Sequence, residues 1–531
     1  MTVLGPTSGG EEHRIRQRLV EAAVIRLSQS KYDETLLSQM INDTGYAPAR
    51  VRVYFQSSDD VVMALYARFA GDLESRLSEL PDGTVGERFR ALIATKFEIM
   101  EPYRMALTSL AGSLFDSKGK LGVLSPETEA IRVRVQSTLA ETVAGASDYD
   151  GSSTDLLSQN LYSVYLALMW LWFKNTPRSK KTSEILCNTA SKAMSFSTPY
   201  LSSPQLRLPL KIFAAAQRSF LFSPDQAATA KAAQILTVVF RHRRLLPDGG
   251  ACILSPCDRC LAFHIPKTAY FVAGERPIHL LLPSFPAKSP NRRKTLRALP
   301  DMAEEQALLY LANICSEVKA IYPPGVRLTI CSDGHVFGNL VGVSDEEVTA
   351  YGEALSGMIE RLGLSDMIDT FSLRDLYENV DYSAMRDHLS IHYEQPLEAI
   401  RQRAATVPQT GTLINGIHRF LFEDNVSLCP DRSRTQIRNE CRDLAYKVVQ
   451  RSDGWGRLLS DCFPMALRLS IHPQSPHSDK IGILLGSSDD IWLTPWHAVA
   501  VKENGTFKLM KRHDAEAAGA KVLKDSGYYE L

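Results

Sequence analysis

The sequence predicts a molecule in two parts, an all-α amino-terminal region followed by an α/β domain whose mixed sheet is flanked by helices. Three observations carry that expectation. Over roughly the first 200 residues apolar side chains recur every three or four positions, the period of a helix. Beyond about Ala227, short β-branched runs such as ILTVVF and IHLLLP alternate with helical segments, as in an α/β domain. Between the two, the stretch from Thr198 to Lys211 breaks the periodicity with Pro204 and Pro209.

The totals bound the answer further. A chain of 531 residues exceeds one ordinary core. Lys plus Arg and Asp plus Glu both number 60, so no global field draws the molecule toward nucleic acid or a membrane. The nine cysteines are scattered and odd in number, and no signal peptide precedes them; this predicts reduced thiols in a cytoplasmic protein. The most apolar run, LYSVYLALMWLWF from Leu161, is too short to span a bilayer and predicts a buried helix.

Taken in order, the first helix runs from about Arg14 to Leu27 with Leu19, Ala22 and Ala23 on its inner face. A second begins near Thr35 as its cap and stops at Gly45; a third, short one starts at Pro48. Ser57 or Ser58 then caps a fourth helix with acidic residues in its first turn. This outline, with the Ala22-Ala23 pair, Tyr32 before Thr35, Ile41 before Gly45, and Tyr54-Phe55, resembles the tetracycline-repressor (TetR) family. The resemblance implies a helix-turn-helix domain over 1–65 and a helical dimerisation or ligand-type domain over 66–205, with a homodimer formed through the helices. Arg50, Arg52 and Tyr54 are then the candidate DNA contacts. Pro48 and Ser58 stand where that family carries lysines, and residues 11–60 hold seven cations against eight anions, so weak DNA binding is expected. Whether this region contacts DNA or only scaffolds stays open.

In the second part, prolines on both sides of Lys288 make FPAKSPN a rigid loop after the strand IHLLL. Lys288, Arg292, Arg293 and Lys294 make that loop a candidate anion clamp. Asp301 and Glu304 read as a capping box at the start of a helix. The strand RLTIC then ends in Ser332, Asp333, Gly334 and His335. Asp-Gly is turn chemistry, but the carboxyl end of a strand is also where open α/β sheets bind ligands. The segment from Arg434 reads as one long amphipathic helix carrying Arg438, Lys447 and Arg451. In ALRLSIHP, Arg468, Ser470 and His472 alternate with Leu469 and Ile471 and share one side of a strand. Trp496 and His497 stand at the mouth of another strand. Cys257 and Cys260, with Cys252 and His264 nearby, form a CxxC without a matching second pair, so no metal is expected there. The HxD pair His477 and Asp479 falls in a loop and is discounted as an iron site.

Together, CDRC, FPAKSPN, LPDM, IYPPGVRLTICSDGHVF, ALRLSIHP, TPWHAVAV and the closing GYY resemble the isonitrile (isocyanide) synthase family, also called the pyoverdine and dityrosine biosynthesis family. The resemblance covers about Thr229 to the end and implies a synthase domain over 225–531. It further implies that the amine of an aromatic amino acid, tyrosine or tryptophan, is converted to an isonitrile with ribulose 5-phosphate as carbon donor. That chemistry belongs to secondary metabolism and needs no metal or redox cofactor. Asp333, His335, His472 and His497 are then the candidate acids and bases. Lys288, Arg292, Ser332, Arg438, Lys447, Arg451 and Arg468 are the candidates for the phosphate and the α-carboxylate. Which histidine is the base and which amino acid is used stay open. The alternative from the same residues is a TetR-type regulator whose synthase-like domain senses a metabolite.

Overall fold

The computed structural model describes residues 9–52, 54–116, 119–149, 154–174, 226–247, 255–377, 380–523 and 526–531, with a few isolated positions besides. The expected join from Thr198 to Lys211 lies outside the described residues. The amino-terminal region folds as α1 (Gly9–Gln29), α2 (Leu36–Thr44), α3 (Pro48–Val51), α4 (Ser58–Glu74), α5 (Val85–Met100), α6 (Arg104–Leu114), α7 (Glu129–Ala144) and α8 (Thr154–Lys174). No described helix is long and apolar enough to cross a membrane.

The local chemistry of these helices follows the sequence closely. Gly45 closes α2 with φ 68°, a left-handed conformation that glycine adopts without a Cβ clash. Ser57 caps α4, accepting from the Asp60 N–H while Asp60 accepts from the Ser57 N–H. Ser58 is buried and ties α2 to α4, accepting from the Leu37 N–H and donating to the Glu34 carbonyl. Thr35 departs from its expected role: it makes no cap hydrogen bond, and its hydroxyl donates to Asp33 instead. In the candidate DNA-contact segment, α3 is a single turn containing Arg50. Arg52 follows it, exposed, and Tyr54 is partly buried against the helical core.

The second part begins with α9 (Gln226–Phe240), α10 (Asp258–Ala262), α11 (Ile265–Ala273), β1 (Ile278–Ser284) and α12 (Met302–Ile321). Next come β2 (Val326–Ser332), α13 (Gly334–Val341), α14 (Asp345–Arg361) and β3 (Ile368–Phe371). A helical excursion follows: α15 (Tyr382–Tyr393), α16 (Leu397–Thr406), α17 (Pro408–Leu428) and α18 (Arg434–Cys462). The chain returns as β4 (Leu467–Ser470) and β5 (Ile481–Gly482), then β6 (Val499–Glu503), β7 (Thr506–Met510), α19 (Arg512–Ala517), β8 (Lys521–Val522) and β9 (Tyr529–Glu530).

The main sheet has the order β3-β2-β1-β4-β5, and every neighbouring pair is parallel. The expected mixed character is confined to the small sheet β7-β6-β9-β8. Helices separate β1 from β2, β2 from β3 and β3 from β4, the usual crossover between parallel strands, while β4 and β5 are joined by the loop 471–480. β1 lies between β2 and β4 with Leu280, Leu281 and Leu282 almost wholly buried, which explains its unbroken apolar run. ILTVVF corrects the sequence reading, because it forms the end of α9 rather than a strand. Ile235, Leu236, Val238 and Val239 are all buried, so the run shows no period, and the alanine-rich residues before it carry the helix onward.

The two parts share a packed boundary. Ala140 and Ala144 of α7 meet Ala262 of α10, small residues that let the helices approach closely. Beside them Glu74 accepts from Arg134 of α7 and pairs at 3.0 Å with Lys267 of α11. All three side chains are buried or nearly so.

Candidate active site

Three parallel strands end at one edge of the main sheet: β1 at Ser284, β2 at Ser332 and β4 at Ser470. From β1 the chain builds outward to β2 and β3, then returns to the other side of β1 as β4. The loops after β1 and β4 therefore diverge and open a crevice, the place where such sheets bind ligands. A cavity of about 1410 Å³ lies there, lined among others by Lys288, Asp333, Arg468, His472, Lys480 and His497. Leu77, Asp82 and Glu141 of the helical region contribute to its wall.

The loop after β1 starts under strain. Phe285 has φ 53°, is fully buried and packs its ring on Trp496. Beyond it, the Ser289 N–H donates to the Trp496 carbonyl at 2.9 Å, and Lys288 Nζ donates to that of Pro495 at 3.2 Å. The proline-locked loop and the turn Pro495–His497 thus form one unit. Lys288 is buried against two carboxylates, Asp301 at 3.0 Å and Glu304 at 2.7 Å, which also make the expected capping box of α12. Its charge is neutralised from within the protein, so it fixes the loop more than it offers a cation to a ligand.

At the end of β2 the expected glycine turn is instead a direct entry into α13, with Asp333 at the cap position. Gly334 is required by a close approach, since a Cβ there would lie 2.0 Å from the Pro286 carbonyl oxygen and 2.5 Å from Val348. Asp333 is buried and borders the cavity, and its Oδ1 has no hydrogen-bond partner among the described residues. Burial pushes its carboxyl up to about 7. His335, two residues on, is placed differently. Its ring stacks on Tyr382 with centroids 4.0 Å apart, and Nε2 meets Thr349 at 3.1 Å. It is a packing residue outside the cavity lining. Ser332 donates to the Phe285 carbonyl at 3.1 Å and ties the two loops together.

On β4, Arg468 donates to the Gly456 carbonyl at 2.9 Å and to Ser460 at 3.1 Å, while its Nε is buried without a partner among the described residues. Gly456 leaves room for this guanidinium, for its Cβ would come within 3.0 Å of it. His472 follows the strand, and burial, aided by Arg244, Lys480 and His497, lowers it to about 4. Burial also lowers His497 to about 4, and its Nδ1 lies 3.1 Å from the Thr494 hydroxyl. Both imidazoles are neutral at pH 7.

Of the other expected cations, Arg293 and Lys294 line the cavity, while Arg292, Arg438, Lys447 and Arg451 stand away from it. Arg292 is exposed and donates to the Arg297 carbonyl. Lys447 is exposed, and Arg438 lies over the Phe422 ring. Arg451 is held by Glu394, Asn339 and the Val336 carbonyl. A long amphipathic helix displays cations on both faces, and spacing alone does not say which face looks inward. Among the cavity residues that the sequence did not single out are Lys480 and Asp424. Lys480 lies close enough to His472 to act on its charge. Asp424 of α17 is buried, accepts from Ser289 and pairs with Lys294 at 2.7 Å. The discounted metal residues also need correcting, because Cys252, Cys257 and Cys260 gather with His477. His264 is instead buried beside the Ser478 carbonyl.

Residues 268–523, which contain the main sheet and these loops, match the family model described as pyoverdine/dityrosine biosynthesis protein. An L-tryptophan isonitrile synthase of Fischerella ambigua is 46% identical over 295 residues, which are 56% of this chain and 89% of that protein. An L-tyrosine isonitrile synthase of Pseudomonas aeruginosa is 38% identical over 301 residues, 56% of this chain and 92% of that protein. The crystal structure of the PvcA protein from Pseudomonas aeruginosa superposes with a TM-score of 0.54 at 38% identity, covering 57% of this chain and 99% of that one.

Proposed function

Because the chain belongs to the pyoverdine/dityrosine biosynthesis family, we propose that it is an isonitrile synthase that converts the amine of L-tryptophan to an isonitrile, with ribulose 5-phosphate as carbon donor. The choice of tryptophan rests on the higher identity to the L-tryptophan isonitrile synthases, 46% and 43%, than to the L-tyrosine isonitrile synthases, 38% and 36%. The observation that carries the reading is Asp333, a buried carboxyl at the crevice with an oxygen unpartnered among the described residues.

Joining an amine to a ketone carbon requires a base that takes the proton from nitrogen, and a base works best with a pKa near the working pH. Of the candidates Asp333 fits that demand, at about 7 against about 4 for His472 and His497. In this reading Asp333 accepts the amine proton. Neutral His472 and His497 hold the sugar hydroxyls, and Arg468 binds the α-carboxylate in a bidentate manner. Lys480, which has no carboxylate within salt-bridge distance among the described residues, receives the phosphate.

The test is steady-state turnover of tryptophan and tyrosine with ribulose 5-phosphate by wild type, D333N and R468K. Higher kcat/KM for tryptophan, loss of turnover in D333N, and a roughly tenfold or larger rise in KM for the amino acid in R468K are expected. Equal turnover by D333N and wild type would refute the assignment.

A further inference from the structure

Outside the proposed catalytic groups, the fold assembles four metal-ligand side chains at one point. Cys252, Cys257 and Cys260 lie on the segment between α9 and the end of α10, and His477 lies on the loop between β4 and β5. One donor atom from each falls within 4.8 Å of all the others. Cys257 Sγ stands 3.6 Å from Cys252 Sγ and 3.7 Å from Cys260 Sγ. His477 Nε2 stands 3.7 Å from Cys252 Sγ and 3.5 Å from Cys257 Sγ.

These separations have a simple chemical meaning. A tetrahedral zinc ion with bonds of about 2.3 Å to sulfur and about 2.0 Å to nitrogen sets its sulfurs about 3.8 Å apart and sulfur from nitrogen about 3.5 Å. The sulfurs are too far apart for disulfides, whose bond is about 2.05 Å, and all three cysteines are free. We infer that Cys252, Cys257, Cys260 and His477 form a structural zinc site. Four protein donors close the coordination sphere and leave no position for water or substrate, which separates this site from a catalytic zinc. Three thiolates and one imidazole leave the zinc complex with net negative charge. Arg243 sits where that charge is met, donating to the Cys252 carbonyl at 2.5 Å and lying against the Cys260 sulfur.

The position gives the ion a task. The loop that carries His477 begins at His472 and includes Lys480, both on the cavity wall. Zinc would staple this loop to α10, which itself packs against α7 of the helical region. It holds the cavity wall in place without touching the substrate.

The test uses the full chain without a histidine tag. Elemental analysis after exhaustive dialysis should find about one zinc per chain, released when a mercurial blocks the thiols. Protein loaded with cobalt(II) should show thiolate-to-cobalt charge transfer and the visible bands of a tetrahedral ion. Cys257→Ser and His477→Ala should each lose the metal, His477→Cys should keep it, and amide exchange over 472–480 should quicken in the two variants that lose it. Less than about a tenth of an equivalent of zinc after equimolar addition to reduced wild type would overturn the inference, as would iron in place of zinc. Equal zinc in wild type and in a folded Cys257→Ser variant would overturn it as well.

Discussion

At the residue scale, Asp333 and His335 show what two neighbouring side chains owe to the element that carries them. Both are legible in the sequence as polar residues just past a strand. Their separation is not, because it depends on the helix starting at Gly334 without a turn and sending His335 into the stack with Tyr382. D333N should lower isonitrile formation by about 100-fold to 10,000-fold, the range for a lost general base, with the fold intact by circular dichroism. A His335→Ala variant should instead lose about 1–3 kcal/mol of stability, with a smaller effect on kcat, measured by urea denaturation beside initial rates. The Asp333 carboxyl is raised to about 7. The base form is therefore the minor species below that pH, and kcat/KM should climb as pH rises through 7. The folded state holds this proton longer than the unfolded chain, so stability from this group falls with rising pH by about 1.4 kcal/mol per unit between the ordinary aspartate value and 7. D333N should flatten that slope in a series of denaturation curves.

At the element scale, the proline-locked loop and helix α12 are joined by Lys288, whose two carboxylate partners are the cap residues of that helix. The sequence shows a cationic loop and a capping box as separate features. Nothing in their spacing announces that one neutralises the other, because the pairing is made by the loop folding back. K288M leaves two carboxylates buried together and should cost about 3–5 kcal/mol, seen as a lower melting temperature that accompanies any loss of activity. R292A and K447A, on exposed side chains, should leave turnover within about twofold of wild type. The strand-to-helix error at ILTVVF has the same kind of cause. Burial on most sides erases the period that distinguishes the two elements.

At the scale of the whole molecule, the two-part texture was plain from the change in periodicity, while the boundary between the parts was not. Nothing in their spacing brings Glu74, Arg134 and Lys267 together, yet they are buried side by side where α4, α7 and α11 meet. Burial would raise the Glu74 carboxyl, but the two cations outweigh it and hold it below the usual glutamate value. Its contribution is present above the unfolded glutamate value and is lost as pH falls through the lower folded one. E74Q should remove that acid-dependent part and cost about 3–5 kcal/mol at pH 7, because it strands two buried cations; denaturation at pH 7 and pH 4 measures both effects. The full chain, given L-tryptophan and ribulose 5-phosphate labelled with carbon-13, should yield an isonitrile whose terminal carbon carries the label, together with free phosphate, detected by mass spectrometry. An unlabelled isonitrile, or no isonitrile from either tryptophan or tyrosine, would contradict the account.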